Sequence, residues 1–292
     1  MNRGTVLSAL TLVMGAHTLP ASAALIDEAE IGLRYDNNLT KAQLPRDIKD
    51  DTALVMSATS SRGEQLSENG RLIGTARVVG AAFHRYHGLD NLAAGLDLTY
   101  RWKFGLGALV PEVHASFGAT RQMSQDSFRT GWQYASEIGS SQRLTDRAGI
   151  RFAYQVEQSR ADTFHPRVRS NIPADVFDLN SHNLRFGGDY ALASDYVLAA
   201  GYTFRKGDIE STTLRNFPIF RISSAISVDP VFGAAQVAYK LRALTQDISV
   251  GISRLIGDQT SLTLGYQYLY SRGSGGIDYT SKLVRLTWMH QF

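Results

Sequence analysis

Apolar and polar residues alternate with a period of two along most of this 292-residue chain. The alternation comes in segments of roughly ten residues divided by turn-forming sequence, which reads as a succession of β-strands. In the clearest segment Leu92, Ala94, Leu96, Leu98, Tyr100, Trp102 and Phe104 form one row, and Asn91, Gly95, Asp97, Thr99, Arg101 and Lys103 the other. Successive side chains on a strand point to opposite faces, so each row defines a face. The pattern recurs where Ile150, Phe152, Tyr154 and Val156 oppose Arg151, Gln155 and Glu157, and where Tyr196, Leu198, Ala200, Tyr202 and Phe204 oppose Thr203 and Arg205. Leu262, Leu264, Tyr266, Tyr268 and Tyr270 oppose Thr263 and Gln267 in the same way.

Less regular segments fill the intervals. Ala29, Ile31, Leu33 and Tyr35 oppose Glu28, Glu30 and Arg34; Leu54, Met56 and Ala58 make a short second row; Leu72, Ala76 and Val78 oppose Arg77. Val113, Ala115 and Phe117 oppose Glu112, His114 and Ser116, Trp132, Tyr134 and Ile138 oppose Gln133 and Glu137, and Leu184, Phe186 and Tyr190 oppose Arg185 and Asp189. The last segment, Ser281 to Phe292, carries Val284, Leu286, Trp288 and Phe292 on one face, with Lys282 and His290 on that face toward its ends. Between Phe232 and Ile256 the apolar parity changes, from Val237, Tyr239 and Leu241 to Ile248, Val250 and Ile252. That change reads as one long strand with a bulge, or as two strands joined near 244–247.

The polar rows contain full charges, which are costly against hydrocarbon, so the apolar rows face outward. Nothing in the chain approaches the roughly 20 consecutive apolar residues of a helical membrane span. Tight turns at 67–70, 104–110, 145–147, 193–195 and 257–260 alternate with longer connections at 37–51, 87–90, 124–130, 160–178, 208–231 and 273–280. With 232–256 as one strand the count is about twelve, an even number that puts every long connection at one end. The expected fold is all-β: a transmembrane antiparallel up-and-down β-barrel of about 12 strands, with N- and C-termini periplasmic. Trp102, Trp132, Tyr134, Tyr202, Phe204, Tyr268, Tyr270 and Trp288 fall near strand ends, where aromatic rings sit at a membrane interface. A large soluble sandwich, the alternative, would more often bury tryptophan in mid-strand.

The first 23 residues change the compartment. Arg3, an apolar stretch from Val6 to Met14 and Ala21-Ser22-Ala23 have the form of a secretory signal with its cleavage site. The expected organisation is a signal peptide at 1–23 and one barrel at 24–292, exported to the cell outer membrane. The chain has no cysteine, which excludes disulfides, thiolate metal sites and cysteine redox chemistry. Lys plus Arg number 30 against 27 Asp plus Glu, a balance too even for a nucleic-acid surface. No cofactor is expected.

The leader, the repeated amphipathic strands, the alternating loop lengths and the terminal segment VRLTWMHQF together resemble a Gram-negative outer-membrane β-barrel protein, porin-like, over essentially the whole chain after the leader. The resemblance implies contact with outer-membrane lipid and reading of the last strand, Trp288 and Phe292 included, by the barrel assembly machinery. The opening IGLRYDNNLT is similar to the first barrel strand of surface-lipoprotein assembly modifiers, whose large helical-repeat domain is absent here.

In a barrel of this size the inward side chains decide whether it conducts. The candidate lining comprises Arg34, Arg77, Asp97, Arg101 and Lys103, then Glu112, His114, Glu137, Arg151 and Glu157, and finally Arg185, Asp189, Arg205, Lys240 and Arg285. Read as a pore, this set has a mild basic excess that favours small polar or anionic solutes. Read as a plug, its Arg–carboxylate pairs only stabilise the barrel, as suits a structural or export-partner protein. Small porins for acidic oligosaccharides resemble the first reading in size and strand number, although their basic tracks are more one-sided. A lipid-acting hydrolase is a third reading. His114 and Ser116 have the spacing of outer-membrane phospholipases, but Phe117 stands where those have Asn and His114 faces inward, so no catalytic residue is assigned. Asp36, Asn37 and Asn38 with Asp47, Asp50 and Asp51 could group around calcium, and His84 with His87 around a metal, yet solvated turns explain both and no metal site is assigned. Phe164, His165, Arg167 and Arg169, and the apolar run Phe217 to Ile222, are candidates for a lid or partner surface, the latter folding into the barrel mouth.

Overall fold

The computed structural model describes residues 26–165 and 171–292; the leader expected at 1–23, Arg167 and Arg169 lie outside the described residues. Among the described residues thirteen strands form one antiparallel sheet. In chain order they are β1 (Glu28–Asp36), β2 (Asp51–Gln65), β3 (Gly70–Phe83), β4 (Asn91–Lys103), β5 (Glu112–Ser124), β6 (Gly131–Arg143) and β7 (Ala148–Ala161). There follow β8 (Asn180–Ala191), β9 (Tyr196–Leu214), β10 (Ala225–Val228), β11 (Gln236–Ile256), β12 (Thr260–Gly273) and β13 (Asp278–Gln291), with one short helix α1 (Phe217–Ile222) before β10. β1 pairs with β13 and β9 with β11, so twelve strands close a ring and only β10 stands outside it.

Register confirms the two rows. Ile31 lies opposite Trp288 and Leu33 opposite Leu286, while Arg34 lies opposite Arg285. The apolar row is exposed all round the ring, with Leu96, Phe117, Ile138, Phe186, Ile248 and Leu264 each at least half accessible. A patch of that extent has no place on a water-soluble monomer; it is the surface a barrel presents to lipid.

The tight connections at 66–69, 104–111, 144–147, 192–195 and 257–259 all lie at the end of the barrel where β1 begins and β13 ends. Gly257, at φ 70°, supplies the left-handed residue that the shortest of these turns needs. The long connections lie at the far end.

Strand length explains what happens there. A strand crosses a bilayer in about 9–11 residues. β9 has 19 and β11 has 21. β8 leaves β9 at Gly207 and β12 leaves β11 at Ala243, so 208–214 and 236–242 continue past the wall as a ribbon, to which β10 adds a short third strand along 237–240. The β9–β11 register is unbroken from Gln236 to Arg254, so the region is one strand and the bulge expected from the parity change is absent. The parity changes because the environment does: in the wall the even residues of β11 meet lipid, whereas in the ribbon Val237, Tyr239 and Leu241 are buried against Ile209, Ile219, Ile277 and Tyr279.

Candidate functional site: the lumen and its lid

The charged rows meet inside the ring. Near the termini, Arg101 reaches Glu112 at 3.6 Å, and Asp189 takes both Arg143 at 3.0 Å and Arg151 at 3.6 Å. Further in, His114 Nε2 lies 3.0 Å from Glu137, whose other oxygen accepts from Arg185 at 2.8 Å. Gly139 makes room for this: a Cβ there would stand 2.6 Å from the His114 ring. On the opposite wall Ser57 donates to Glu30 at 2.9 Å and Arg77 lies 3.6 Å from the same carboxylate. Asp97 faces the same interior, and Gln267 donates to Asp247.

Accessibility falls along the axis. The side chains of Arg101, Arg151 and Arg143 are 37, 41 and 44% exposed. Those of Glu137, His114 and Arg185 are 18, 21 and 26% exposed. Toward the far end Arg34, Glu157 and Arg205 are buried. Exposure of the inward row thus declines from the end where β1 begins toward the far mouth.

What covers that mouth is the segment 208–242, the outer parts of β9 and β11 with everything between them, here called the lid. Its ribbon, α1 and β10 touch every other far-end connection. Thr212 N–H donates to Thr40 O at 2.8 Å, Ser211 to Lys41 O at 2.8 Å, and Leu214 N–H to the Asp47 carboxylate at 3.2 Å, all in the connection after β1. Phe232 packs with Leu89 and Tyr86 of the connection after β3. Ile226 N–H donates to Pro173 O at 2.9 Å after β7, and Ile277, after β12, joins the cluster around Tyr239. The connections after β1 and β7 lie six strands apart on a twelve-strand ring, so a segment bonded to both spans the mouth.

The connection after β5 supplies the latch. Arg129, 8% exposed, donates to Glu210 at 2.8 Å and to Asp229 at 2.7 Å, and its Nε lies 3.2 Å from Asp126. Thr212 donates to the same Asp229 carboxylate at 2.6 Å, and the Phe177 ring covers the guanidinium at 4.2 Å. One arginine thus joins two points of the lid to the wall. Beside it His165 stacks on Phe128 at 3.4 Å, and burial holds its imidazole below the usual range.

Of the candidate lining, register puts Arg34, Arg77, Asp97, Arg101, Lys103, Glu112, His114, Glu137, Arg151, Glu157, Arg185, Asp189, Arg205 and Arg285 on the inward row. Lys240 is a correction: it has the other parity, sits in the ribbon above the wall, and pairs with Asp175 at 3.2 Å. Sequence reasoning missed Arg129, Glu210 and Asp229. The aspartates read as a calcium group are engaged otherwise: Asp51 accepts the N–H groups of Thr52, Arg85 and Tyr86, and Asp50 pairs with Arg85 at 2.9 Å.

The fold is that of an outer-membrane, porin-like β-barrel. It is similar to the NanC porin, at a TM-score of 0.51 and 10% identity over 90% of this chain and 100% of that one. It is also similar to an outer membrane channel from Pseudomonas putida F1, at 0.56 and 11% identity over 94% of this chain and 100% of that one. No family model matches the chain, and no curated protein matches it.

Proposed function

We propose that this chain is an outer-membrane channel for small polar solutes, with its termini in the periplasm and its extracellular mouth covered by the lid. The observation that carries this reading is the closed ring with charge on the inner row and exposed apolar side chains on the outer one. The open end reaches water through side chains that set selectivity by charge. The porin and channel neighbours support the reading. A hydrolase is disfavoured because His114 pairs with Glu137 and faces the lumen, away from lipid.

The plugged-barrel reading draws on one specific observation, the bonding of the lid to every other far-end connection. Proteoliposomes separate the two. Those carrying the protein with 208–242 replaced by a short turn are expected to admit glycine faster than protein-free liposomes and to exclude dextran, and the intact protein to admit it more slowly. A glycine rate equal to that of empty liposomes, with the lid present and with it removed, would favour the plug.

A further inference from the structure

Arg34 lies on the inward row of β1 just beneath the lid. It is 6% exposed, and its guanidinium stands 5.5 Å from the ring of Phe83, a member of the cluster that also holds Phe232 of the lid. Arg285 is its cross-strand partner, so two arginine stems leave adjacent strands side by side. Like charges directly opposite each other on a sheet repel, and a buried guanidinium ordinarily meets a carboxylate. Among the described residues no carboxylate lies within ion-pair distance of Arg34. The acids nearby are engaged elsewhere: Asp36 accepts from Asn38 N–H at 2.9 Å and from Ser281 at 2.7 Å, and Glu30 accepts from Ser57 and faces Arg77. A cavity of about 20 Å³ opens here, lined by Glu30, Gly32, Arg34, Ser57, Arg285 and Thr287 among others. That is room for a water or a small oxyanion group.

We propose that Arg34 and Arg285 form a binding site for the carboxylate of a small organic acid within the lumen. Guanidinium groups match a carboxylate with paired N–H donors, and such charge-assisted bonds are the strong ones. The hydroxyl of Thr287 lines the same cavity. Glu30, on the same strand as Arg34 and lining the same cavity, keeps the site near charge balance, which lets a bound anion leave as well as arrive. The small volume and the Glu30 carboxylate favour a singly charged carboxylate over phosphate. The inference rests on the channel reading only for how the acid reaches the site.

The test is a titration of the intact protein in detergent micelles with acetate and, separately, inorganic phosphate, followed by the NMR resonances of the arginine Nε–H groups. Saturable acetate binding is expected, weakened at least about tenfold in Arg34→Gln and in Arg285→Gln and less in Arg34→Lys. Arg254→Gln, on the outer row, should bind as the parent does. Heat-modifiable gel migration checks folding, and Arg285→Gln decides if Arg34→Gln fails to fold. Absent or unsaturable acetate binding, unchanged binding in the folded glutamine variants, or tighter binding of phosphate would each overturn the site. Glycine permeation can fail while acetate binding stands, and the reverse, so the two readings fall separately.

Discussion

Trimming the lid is expected to convert a nearly closed channel into a steadily open one. Replacing 208–242 by a short turn joins Gly207 to Ala243, which already lie opposite each other in the register, so the wall keeps every pairing it has. What is lost is the cover: the ribbon, α1, β10 and the apolar cluster of Ile209, Ile219, Ile226, Tyr239 and Leu241. Tyr239 and Leu241, at 2 and 0% exposed, are packed within that cluster. In planar bilayers the trimmed protein should show long, ohmic openings with a mean current on the order of tenfold or more above the parent, because a dewetted apolar constriction blocks ions and its removal does not narrow the pore. Equal currents would mean that closure resides in the wall.

Arg129→Ala should release the same lid without shortening it. The substitution removes the arginine that Glu210, Asp229 and Asp126 share, the first two being 4 and 0% exposed. Removing one partner of a buried ion cluster costs about 3–5 kcal/mol, enough to shift a docked–undocked equilibrium by about two to four powers of ten. Both channel opening and protease cleavage within 215–235 should increase. The combined change Arg129→Met, Asp126→Asn, Glu210→Gln, Asp229→Asn removes the charges together and should restore much of the protection, since losing a whole buried cluster costs less than losing one member of it. A lid as resistant in Arg129→Ala as in the parent would remove Arg129 from the role of latch.

The wall was legible in the sequence and the lid was not, for physical reasons. In the wall one environment acts on each row, lipid outside and polar contacts inside, so period two survives for a whole strand and even the inward lining could be named. In β11 the same row meets two environments in turn, and a straight strand therefore looked bulged. Lys240 was misplaced for that reason, because parity assigns a face only while the strand stays in the wall. Arg129 lies in a short polar connection with nothing local to mark it; its partners are 81 and 100 residues away. The signal that was present is the apolar run Phe217 to Ile222 in an otherwise polar connection, now seen as α1 with Ile219 buried.

The most direct test of a water-filled lumen with one covered mouth uses the absence of cysteine from the chain, so that each introduced thiol reports alone. Arg151→Cys probes the open end of the inward row, Thr245→Cys the buried far end, and Leu264→Cys the outer row. In proteoliposomes a charged, membrane-impermeant maleimide should label Arg151→Cys fastest, Thr245→Cys more slowly by on the order of tenfold, and Leu264→Cys not at all. Trimming 208–242 should bring Thr245→Cys up to the rate of Arg151→Cys. Labelling of Leu264→Cys with Arg151→Cys silent, or a Thr245→Cys rate indifferent to the lid, would contradict it.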